Sequence, residues 1–257
     1  MMIYSILVVI ISVLINFTHQ TKINYHSIVV QSGSTPTIVG DKNVLRQKYL
    51  VARTFNKIYI DGAFNVYLTQ VNNDMNSSLE GIEIETDKNI HDFIICEVTN
   101  DHILNIKMKP NVNYKFTDMI VYINYKVLVE LYLNGIGNTE TTNQLIQSEK
   151  LILHNEGTTS FKLNVSVPMI DAFIYSTGQG ILGGSCGVTN IKDTGVGDVD
   201  ASNLITQYVN VDASGVGKIK VYAIRECNIR AEGVSTVYYK CPIKKQETHG
   251  LAKIIEW

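Results

Sequence analysis

The sequence contains histidines and aspartates, which are common metal ligands, but their spacing does not suit a metal site. The chain has six histidines, and no two of them stand at the spacing of a metal-binding pair. Asp193, Asp198 and Asp200 could offer oxygen atoms to calcium, but they lack the repeated Gly-Gly-x-Gly-x-Asp pattern of calcium-binding repeats. We therefore expect surface histidines, solvated aspartates, and neither a metal nor a cofactor. The histidines are His19, His26, His91, His102, His154 and His249.

The sequence does not indicate a catalytic site either. Its Gly-x-Gly pairs are not followed by a helical pattern, so they do not resemble a phosphate-binding loop. Enzymes that hydrolyse polysaccharides need two carboxylates that converge on the scissile bond, and the carboxylates expected on the surface here are few and mostly matched to a lysine. We predict a non-enzymatic protein. A polysaccharide-degrading β-helix enzyme is the alternative.

The composition favours strands and argues against nucleic acid as a partner. The 257 residues carry a net charge of −2, which gives no basic surface for phosphates. Fourteen tyrosines accompany one tryptophan, and Ile, Val, Thr and Asn are frequent, as is typical of strands and turns.

The N-terminus begins with an uncharged apolar run, Ile3–Phe17. Its length fits the apolar region of a secretory signal better than a membrane span of about 20 residues. We predict a signal peptide over residues 1–21, cleaved near residues 18–22, a secreted or extracellular protein, and no membrane contact after cleavage. An uncleaved anchor and a buried strand are the alternatives. In a eukaryotic host, export would expose Asn76 and Asn164 as glycan acceptors.

The elements that would position any site come from a glycine-centred repeat in the C-terminal half. Small residues stand two positions after each glycine, and mostly apolar residues stand four before and four after it. These even offsets share one face of an extended chain, because side chains alternate along a strand. Residues 126–257 are therefore predicted to form stacked coils of a parallel β-solenoid, each about 4.8 Å from the next. The repeat glycines are Gly135, Gly157, Gly178, Gly195, Gly215, Gly233 and Gly250.

Charges that were not used to find the repeat support this register. Acidic residues at outward offsets are followed in the next coil by lysines, and opposite charges side by side on neighbouring strands are favourable. In the last coil, Lys244 and Gln246 replace inward apolar residues, which breaks the apolar row, so Lys244, Lys245 and Trp257 are predicted to cap the stack. The matched pairs are Asp198 with Lys218, Asp200 with Lys220, and Glu140 with Lys162.

The four cysteines, Cys96, Cys186, Cys227 and Cys241, allow three complete sets of pairs. Cys186 and Cys241 share an offset but lie three coils, or about 14 Å, apart, beyond the roughly 7 Å limit for a disulfide. Cys227 lies on an inward row, where a free thiol behaves as a small hydrophobic group. Its pairing with Cys241 would need a corner that shortens the path. We favour buried free thiols, with that disulfide as the alternative, and no zinc site.

The first half, residues 38–125, lacks the repeat but alternates apolar and polar residues over several short segments. It is predicted to form an irregular β-rich part that precedes the coils. The predicted strands are Lys57–Gln70, Ile82–Thr86, Asp92–Val98, His102–Met108 and Met119–Tyr125.

This first half carries a motif of Arg, Phe and alternating apolar residues around a glycine, ending in Gln. With it, the sequence resembles the secreted family described as "putative auto-transporter adhesin, head GIN domain", and the coils Thr194–Ser202 and Ala213–Val221 resemble that family's repeats. The resemblance covers about residues 38–255. It implies an all-β fold, largely a right-handed parallel β-helix, in an extracytoplasmic setting, and it implies no active site. The matching residues are Arg53, Phe55, Ile58, Ile60, Gly62, Phe64, Val66, Leu68 and Gln70.

The main candidate for a binding site is a group of outward apolar residues in the first three coils. Ile152 and Phe173 stand five before their glycines, and Tyr132, His154 and Tyr175 stand three before theirs. Later coils have polar residues at these offsets, so the five are predicted to form one exposed patch. We expect it to bind a glycan or a cell-surface protein. The alternatives are a cover of N-terminal strands, self-association with a second copy, or a purely structural coat role.

Overall fold

The computed structural model describes residues 28–29, 35–71 and 80–257, and almost all of its regular structure is strand. One short 3-10 helix, Lys88–Phe93, interrupts the strands. The strands are β1 (Ile28–Val29), β2 (Thr37–Val39), β3 (Val44–Tyr49), β4 (Lys57–Ala63), β5 (Asn65–Gln70), β6 (Gly81–Asp87), β7 (Ile94–Val98), β8 (Ile103–Met108), β9 (Asn113–Lys115), β10 (Met119–Tyr125), β11 (Glu130–Thr141), β12 (Leu145–Ile146), β13 (Leu151–Asn155), β14 (Thr158–Ile174), β15 (Gly180–Asp193), β16 (Val199–Ala213), β17 (Lys218–Ala231), β18 (Thr236–Lys240), β19 (Ile243–Thr248) and β20 (Lys253–Glu256).

The C-terminal half is a stack of parallel coils, which confirms the predicted all-β solenoid. Strands β14, β15, β16 and β17 pair in parallel along most of their lengths. Ala172, Ile191, Val211 and Ile229 lie side by side in four successive coils and are all buried. Such rows form because each coil repeats the same alternation, so apolar side chains meet at the axis and remove their surface from water.

The parallel stacking continues into strands of the first half. Strand β11 pairs in parallel with β4, so that Leu131 lies beside Ile58 and Gly135 beside Gly62. Strand β8 lies against β4 and β10 against β5, both in parallel. Antiparallel partners then follow, with β7 on β8, β6 on β10 and β3 on β6. Antiparallel strands therefore cover this end of the solenoid.

Glycines are needed at one corner because successive coils approach closely there. A Cβ on Gly197 would lie 1.7 Å from the carbonyl oxygen of Gly178 in the preceding coil, and one on Gly135 would lie 2.2 Å from that of Gly62. Gly135 also has a φ of 107°, which residues with a side chain rarely adopt. The column of small residues therefore marks the tightest part of the cross-section.

The alignment on seven glycines is wrong at one of them. Gly178 lies over Thr159, because Gly180 pairs with Phe161. The position over Gly157 is taken by Ser176, whose neighbour Thr177 donates its N–H to the Gly157 carbonyl at 3.0 Å. Ser176 is fully buried and accepts a 2.6 Å hydrogen bond from the Asn155 side-chain amide. A small hydroxyl thus fills the glycine position, and the third coil is shifted by two residues.

The hypothesis that the cysteines are all free thiols is wrong for two of them. Cys227 and Cys241 form a disulfide with their Cα atoms 6.0 Å apart. The register between β17 and β19 shifts between Cys227 and Asn228, and Cys227 donates its N–H to the Pro242 carbonyl. This irregular corner shortens the path between the two residues. Cys96 is half-buried and free, and Cys186 is buried and free.

The last coil carries polar residues where the earlier coils are apolar. At the C-terminus, Gln246 lies beside Ile229, while Lys244 and Trp257 are exposed. The predicted signal peptide and Asn76 lie outside the described residues. Asn164 is exposed on β14. The described part of the chain contains no helix that is long and apolar enough to cross a membrane.

Candidate ligand-binding face

Four aromatic rings from successive coils form a row on one outer face of the solenoid. Tyr59 pairs with Tyr132, Tyr132 with His154, and His154 with Phe173. The ring centroids are 5.3, 5.9 and 4.9 Å apart in that order. We call Tyr59, Tyr132, His154 and Phe173 the aromatic row. All four rings are half-buried, so one side of the row faces solvent.

Strand alternation explains why these rings point outward. Leu131 and Leu133 flank Tyr132 in sequence and are buried in the core, so Tyr132 lies on the opposite side of β11. Parallel coils are about 4.8 Å apart, and equal positions of neighbouring coils therefore hold their rings within contact distance. The row is a direct result of placing an aromatic residue at the same position in four coils.

Two of the rings are held by hydrogen bonds. Tyr59 donates its hydroxyl to Glu130 at 2.7 Å, and Tyr132 donates to Glu156 at 2.8 Å. The pKa of both tyrosines is raised to about 12, mainly by burial and secondly by these hydrogen bonds. The hydroxyls are therefore protonated at neutral pH, and the rings have a fixed orientation.

A second row, of amide side chains, runs beside the first in the later coils. Asn228 donates to Asn210 at 3.0 Å, Asn210 donates to Asn190 at 2.7 Å, and Asn190 donates to Asp171 at 2.7 Å. We call Asn190, Asn210 and Asn228 the asparagine row. Asp171 begins the row and is also bound by Lys150, with 2.9 Å between Nζ and Oδ2.

The asparagine row retains hydrogen-bonding capacity that faces solvent. A primary amide has two N–H donors and two acceptor lone pairs. Asn190 and Asn210 each use one donor and one lone pair in the row. Each of them therefore offers one more donor and one more acceptor, repeated at the coil spacing of about 4.8 Å.

Charged residues continue the line of the aromatic row past Phe173. Lys192 lies beside Phe173, and Asp212, Arg230 and Glu247 follow in the next coils. The signs alternate along this line, and Arg230 approaches Asp212 at 3.7 Å. A groove of about 340 Å³ runs between this line and the asparagine row, with Phe173 at one end.

The structure brings together three of the five predicted site residues in one row and leaves two beside it. Tyr132, His154 and Phe173 belong to the aromatic row. Ile152 lies in the neighbouring line, between Glu130 and Asp171. Tyr175 is 43% exposed but does not stack on His154, because of the two-residue shift in the third coil.

The sequence did not point to Tyr59 or to the asparagine row as parts of a site. Tyr59 precedes Ile60-Asp61-Gly62, which matches Leu133-Asn134-Gly135 after Tyr132, and that match could have extended the repeat into β4. The asparagines were recognised only as outward polar residues. Their role as a row depends on side-chain hydrogen bonds between coils, which spacing alone does not reveal.

Asp171, the carboxylate that the asparagine row contacts, is not suited to act as a general acid. Burial opposes ionisation of Asp171, but the hydrogen bond from Asn190 and the Lys150 ammonium outweigh it and lower the pKa of the carboxyl. A general acid needs the opposite shift. Among residues 28–29, 35–71 and 80–257, no cluster of three or more His, Cys, Asp and Glu side chains could hold a metal ion.

One sequence pattern outside this face resembles a nucleophile motif. Gly183–Gly187 reads Gly-Gly-Ser-Cys-Gly, which matches Gly-x-Ser-x-Gly. It lies within strand β15, whereas the motif requires a sharp turn from strand to helix. Ser185 donates its hydroxyl to Ser166 in the preceding coil at 3.1 Å. The match is therefore a feature of coil stacking.

Solved structures share this fold at low sequence identity. A putative adhesin from Bacteroides fragilis is 23% identical, with a TM-score of 0.79, and the match covers 86% of this chain and 100% of that one. A putative adhesin from Parabacteroides distasonis is 21% identical, with a TM-score of 0.64 and coverage of 86% and 100%. A putative lipid binding protein from the same species is 16% identical, with a TM-score of 0.67 and coverage of 86% and 99%. At these identities the likeness concerns the fold alone.

The sequence itself identifies the family. No curated protein matches the chain significantly, but a family model matches residues 54–242, which is well over half of the chain. The match begins just before Phe55 of the N-terminal motif and extends through the coils to the disulfide corner. The resemblance seen in the sequence is confirmed, and the chain belongs to the family described as "Putative auto-transporter adhesin, head GIN domain".

Proposed function

We propose that this protein is a non-enzymatic, adhesin-like protein of the cell surface or its surroundings, and that it binds an extended glycan along the face described above. The observation that carries the proposal is the continuity of the aromatic row with the groove beside the asparagine row. Phe173 belongs to the first and lines the second. A single ligand chain could therefore contact both.

The chemistry of the two rows suits carbohydrate. The faces of sugar rings carry C–H groups that pack on aromatic rings, and their edges carry hydroxyls that both donate and accept hydrogen bonds. The exposed parts of the aromatic row, where the rings do not cover one another, supply an apolar surface for the first kind of contact. The free donors and acceptors of Asn190 and Asn210 supply the second. One sugar residue of an extended chain is also close in length to the spacing of about 4.8 Å between coils, so successive sugars would meet successive residues of a row.

The charge pattern of the groove favours a neutral ligand. Its line of Lys192, Asp212, Arg230 and Glu247 alternates in sign, so the groove has no field of one sign that would attract a polyanion or polycation. The family description and the two neighbours described as putative adhesins support a surface-binding role.

A glycan array probed with the purified protein tests the proposal. We expect binding to neutral oligosaccharides of several residues. The variant Phe173→Ser should weaken this binding by about tenfold, while the control Tyr67→Ser, which removes a stacked ring paired with Tyr122 elsewhere on the coil, should leave it unchanged. Absence of glycan binding, equal loss in both variants, or cleavage of the bound glycan would contradict the proposal. Capture of a surface protein through Phe173 with no glycan bound would replace the glycan by a protein ligand.

A further inference from the structure

A ridge of aliphatic side chains runs along the outside of the glycine corner in the last four coils. The residue that follows each corner glycine is Val196, Val216, Val234 or Leu251, and these side chains are 59%, 50%, 55% and 76% exposed. We call these four residues the aliphatic ridge. At about 4.8 Å per coil, it is roughly 14 Å long.

The stacking of the corner places these side chains in line. Val216 donates its N–H to the Gly195 carbonyl at 2.9 Å, and Leu251 donates its N–H to the Gly233 carbonyl at 2.9 Å. Val196 donates in the same way to the Ser176 carbonyl, and the pairing of Thr236 with Lys218 places Val234 over Val216, so the four residues occupy equivalent positions in successive coils. A continuous exposed aliphatic line of this kind is typical of an interaction surface.

Polar rows flank the ridge on both sides. The first flank stands two positions after the ridge residues and contains one acidic, one neutral and two basic side chains. The second flank stands two positions before them and contains two hydroxyl side chains, one acidic side chain and one histidine. The first flank consists of Asp198, Lys218, Thr236 and Lys253, and the second of Thr194, Ser214, Glu232 and His249.

We propose that a second copy of this chain docks on the ridge in an antiparallel orientation, with a two-fold axis between the coils of Val216 and Val234. Symmetry then places Val216 against Val234 of the second copy and Val196 against Leu251 of the second copy. It also places Asp198 against Lys253 of the second copy, and this ion pair forms twice because the interface is self-complementary.

Charge disfavours the two registers in which the axis moves by half a coil. A two-fold axis at the level of Val216 would place Lys218 against Lys218 of the second copy. A two-fold axis at the level of Val234 would place Glu232 against Glu232 of the second copy and Lys218 against Lys253 of the second copy. Like charges in contact are costly and exclude alternative arrangements.

An axis between the coils of Val196 and Val216 would also pair opposite charges, but it would place Val234 and Leu251 against Thr177 and Thr158 of the second copy instead of against aliphatic residues. In a parallel arrangement each first-flank residue would face a second-flank residue of the same coil, and no opposite charges would meet.

The proposed dimer would be weak and would present two binding faces together. Four overlapping coils give an interface only about 19 Å long. Its area is therefore small compared with that of stable interfaces, and the dimer belongs to the transient class. The two-fold axis keeps both second flanks on one side of the pair. The two ligand-binding faces then lie on the same side, where they could engage one extended ligand or surface with increased avidity. Dimerisation itself does not depend on the proposed glycan binding.

Sedimentation velocity over a range of protein concentrations tests the ridge. Wild-type protein should show a concentration-dependent monomer–dimer equilibrium. Val216→Lys should raise the dimer dissociation constant by about tenfold or more, because each added ammonium opposes a valine. The control Ile205→Lys changes an aliphatic side chain that is 52% exposed outside the ridge, and it should leave the dissociation constant unchanged. Thermal unfolding of each variant checks that the fold is intact.

A charge exchange tests the register. Lys253→Asp alone and Asp198→Lys alone should each weaken the dimer by about threefold to tenfold, and the double variant should restore it. Because Asp198 accepts a hydrogen bond from the Lys218 N–H, Asp198→Asn provides a second variant that keeps an acceptor there and removes the charge. A protein that stays monomeric up to about millimolar concentration would overturn the proposal. A dimer insensitive to Val216→Lys, or a double variant that remains weak, would overturn it as well.

Discussion

The imidazole of His154 stacks nearly parallel to the ring of Phe173, with the centroids 4.9 Å apart and the planes inclined by 12°. The next residue along the same line is Lys192. Phe173 therefore marks the point where the outer face changes from aromatic to polar. It is also the residue that joins the aromatic row to the groove.

This contact distinguishes Phe173 from Tyr175 in ligand binding. Phe173→Ser should weaken binding of an array-selected oligosaccharide by about tenfold, the worth of one aromatic stacking contact. Tyr175→Ser should change it by less than about threefold, because Tyr175 lies outside the aromatic row. Isothermal titration calorimetry of the two variants gives the comparison. A larger effect at Tyr175 would contradict the arrangement of the face.

The glycine corner predicts a sharp difference between two Gly→Ala variants. A Cβ on Gly197 would lie 1.7 Å from the Gly178 carbonyl oxygen, whereas one on Gly183 would have no atom nearer than 3.9 Å. Gly197→Ala should therefore lower the free energy of unfolding by about 3 kcal/mol or more, and Gly183→Ala by less than about 1 kcal/mol. Chemical denaturation measures both. Equal effects would show that the coils do not approach closely at Gly197.

The disulfide predicts a measurable loss of stability on reduction. Cys227 and Cys241 are 14 residues apart, and closing a loop of this size stabilises a protein by about 3 kcal/mol. Reduction, or the double variant Cys227→Ser with Cys241→Ser, should cost about that much in denaturant unfolding. Thiol titration of the unfolded protein should find two free thiols before reduction and four after it. Four before reduction would contradict the pairing.

Asp193 is only 2% exposed, so the prediction that it is a solvated aspartate is wrong. This buried carboxyl predicts a pH dependence of stability. Burial raises the pKa of Asp193 above its ordinary value of 3.8, while the Gly195 N–H, which donates to it at 2.8 Å, opposes the shift. Because the raised pKa belongs to the folded state, this group favours folding when protonated. Its contribution is lost as the pH rises from about 3.8 through the folded-state value.

Asp193→Asn should remove this dependence. The amide oxygen can still accept the Gly195 hydrogen bond, and no charge is buried, so the variant should be at least as stable as wild type at neutral pH. Denaturant unfolding between pH 4 and 7 compares the two pH profiles. A variant that is much less stable than wild type at neutral pH, with an unchanged profile, would show that ionised Asp193 stabilises the fold.

Alternation and repetition made the coils predictable from sequence. Val211 and Ile229 share an inward row because each stands at the same even offset from a glycine, and the matched charges Asp200 and Lys220 do pair in adjacent coils. Every member of such a row is constrained by the same cross-section. The pattern therefore survives substitutions at single positions.

The shift at the third coil and the disulfide could not be predicted in the same way. The corner accepts Ser176 as well as a glycine, so Gly178 gave a false alignment that placed Tyr175, instead of Phe173, beside His154. Cys227 reaches Cys241 through a local change of register at β19, which has no signal in residue spacing. Both errors arise where the coil departs from strict repetition.

The most direct test of the central claim is a crystal structure of the protein with an array-selected oligosaccharide. A sugar ring should pack on Phe173, and the hydroxyl groups of the neighbouring sugars should donate hydrogen bonds to, and accept them from, the side-chain amides of Asn190 and Asn210. An oligosaccharide bound away from the aromatic and asparagine rows would contradict the claim that these rows form the binding face.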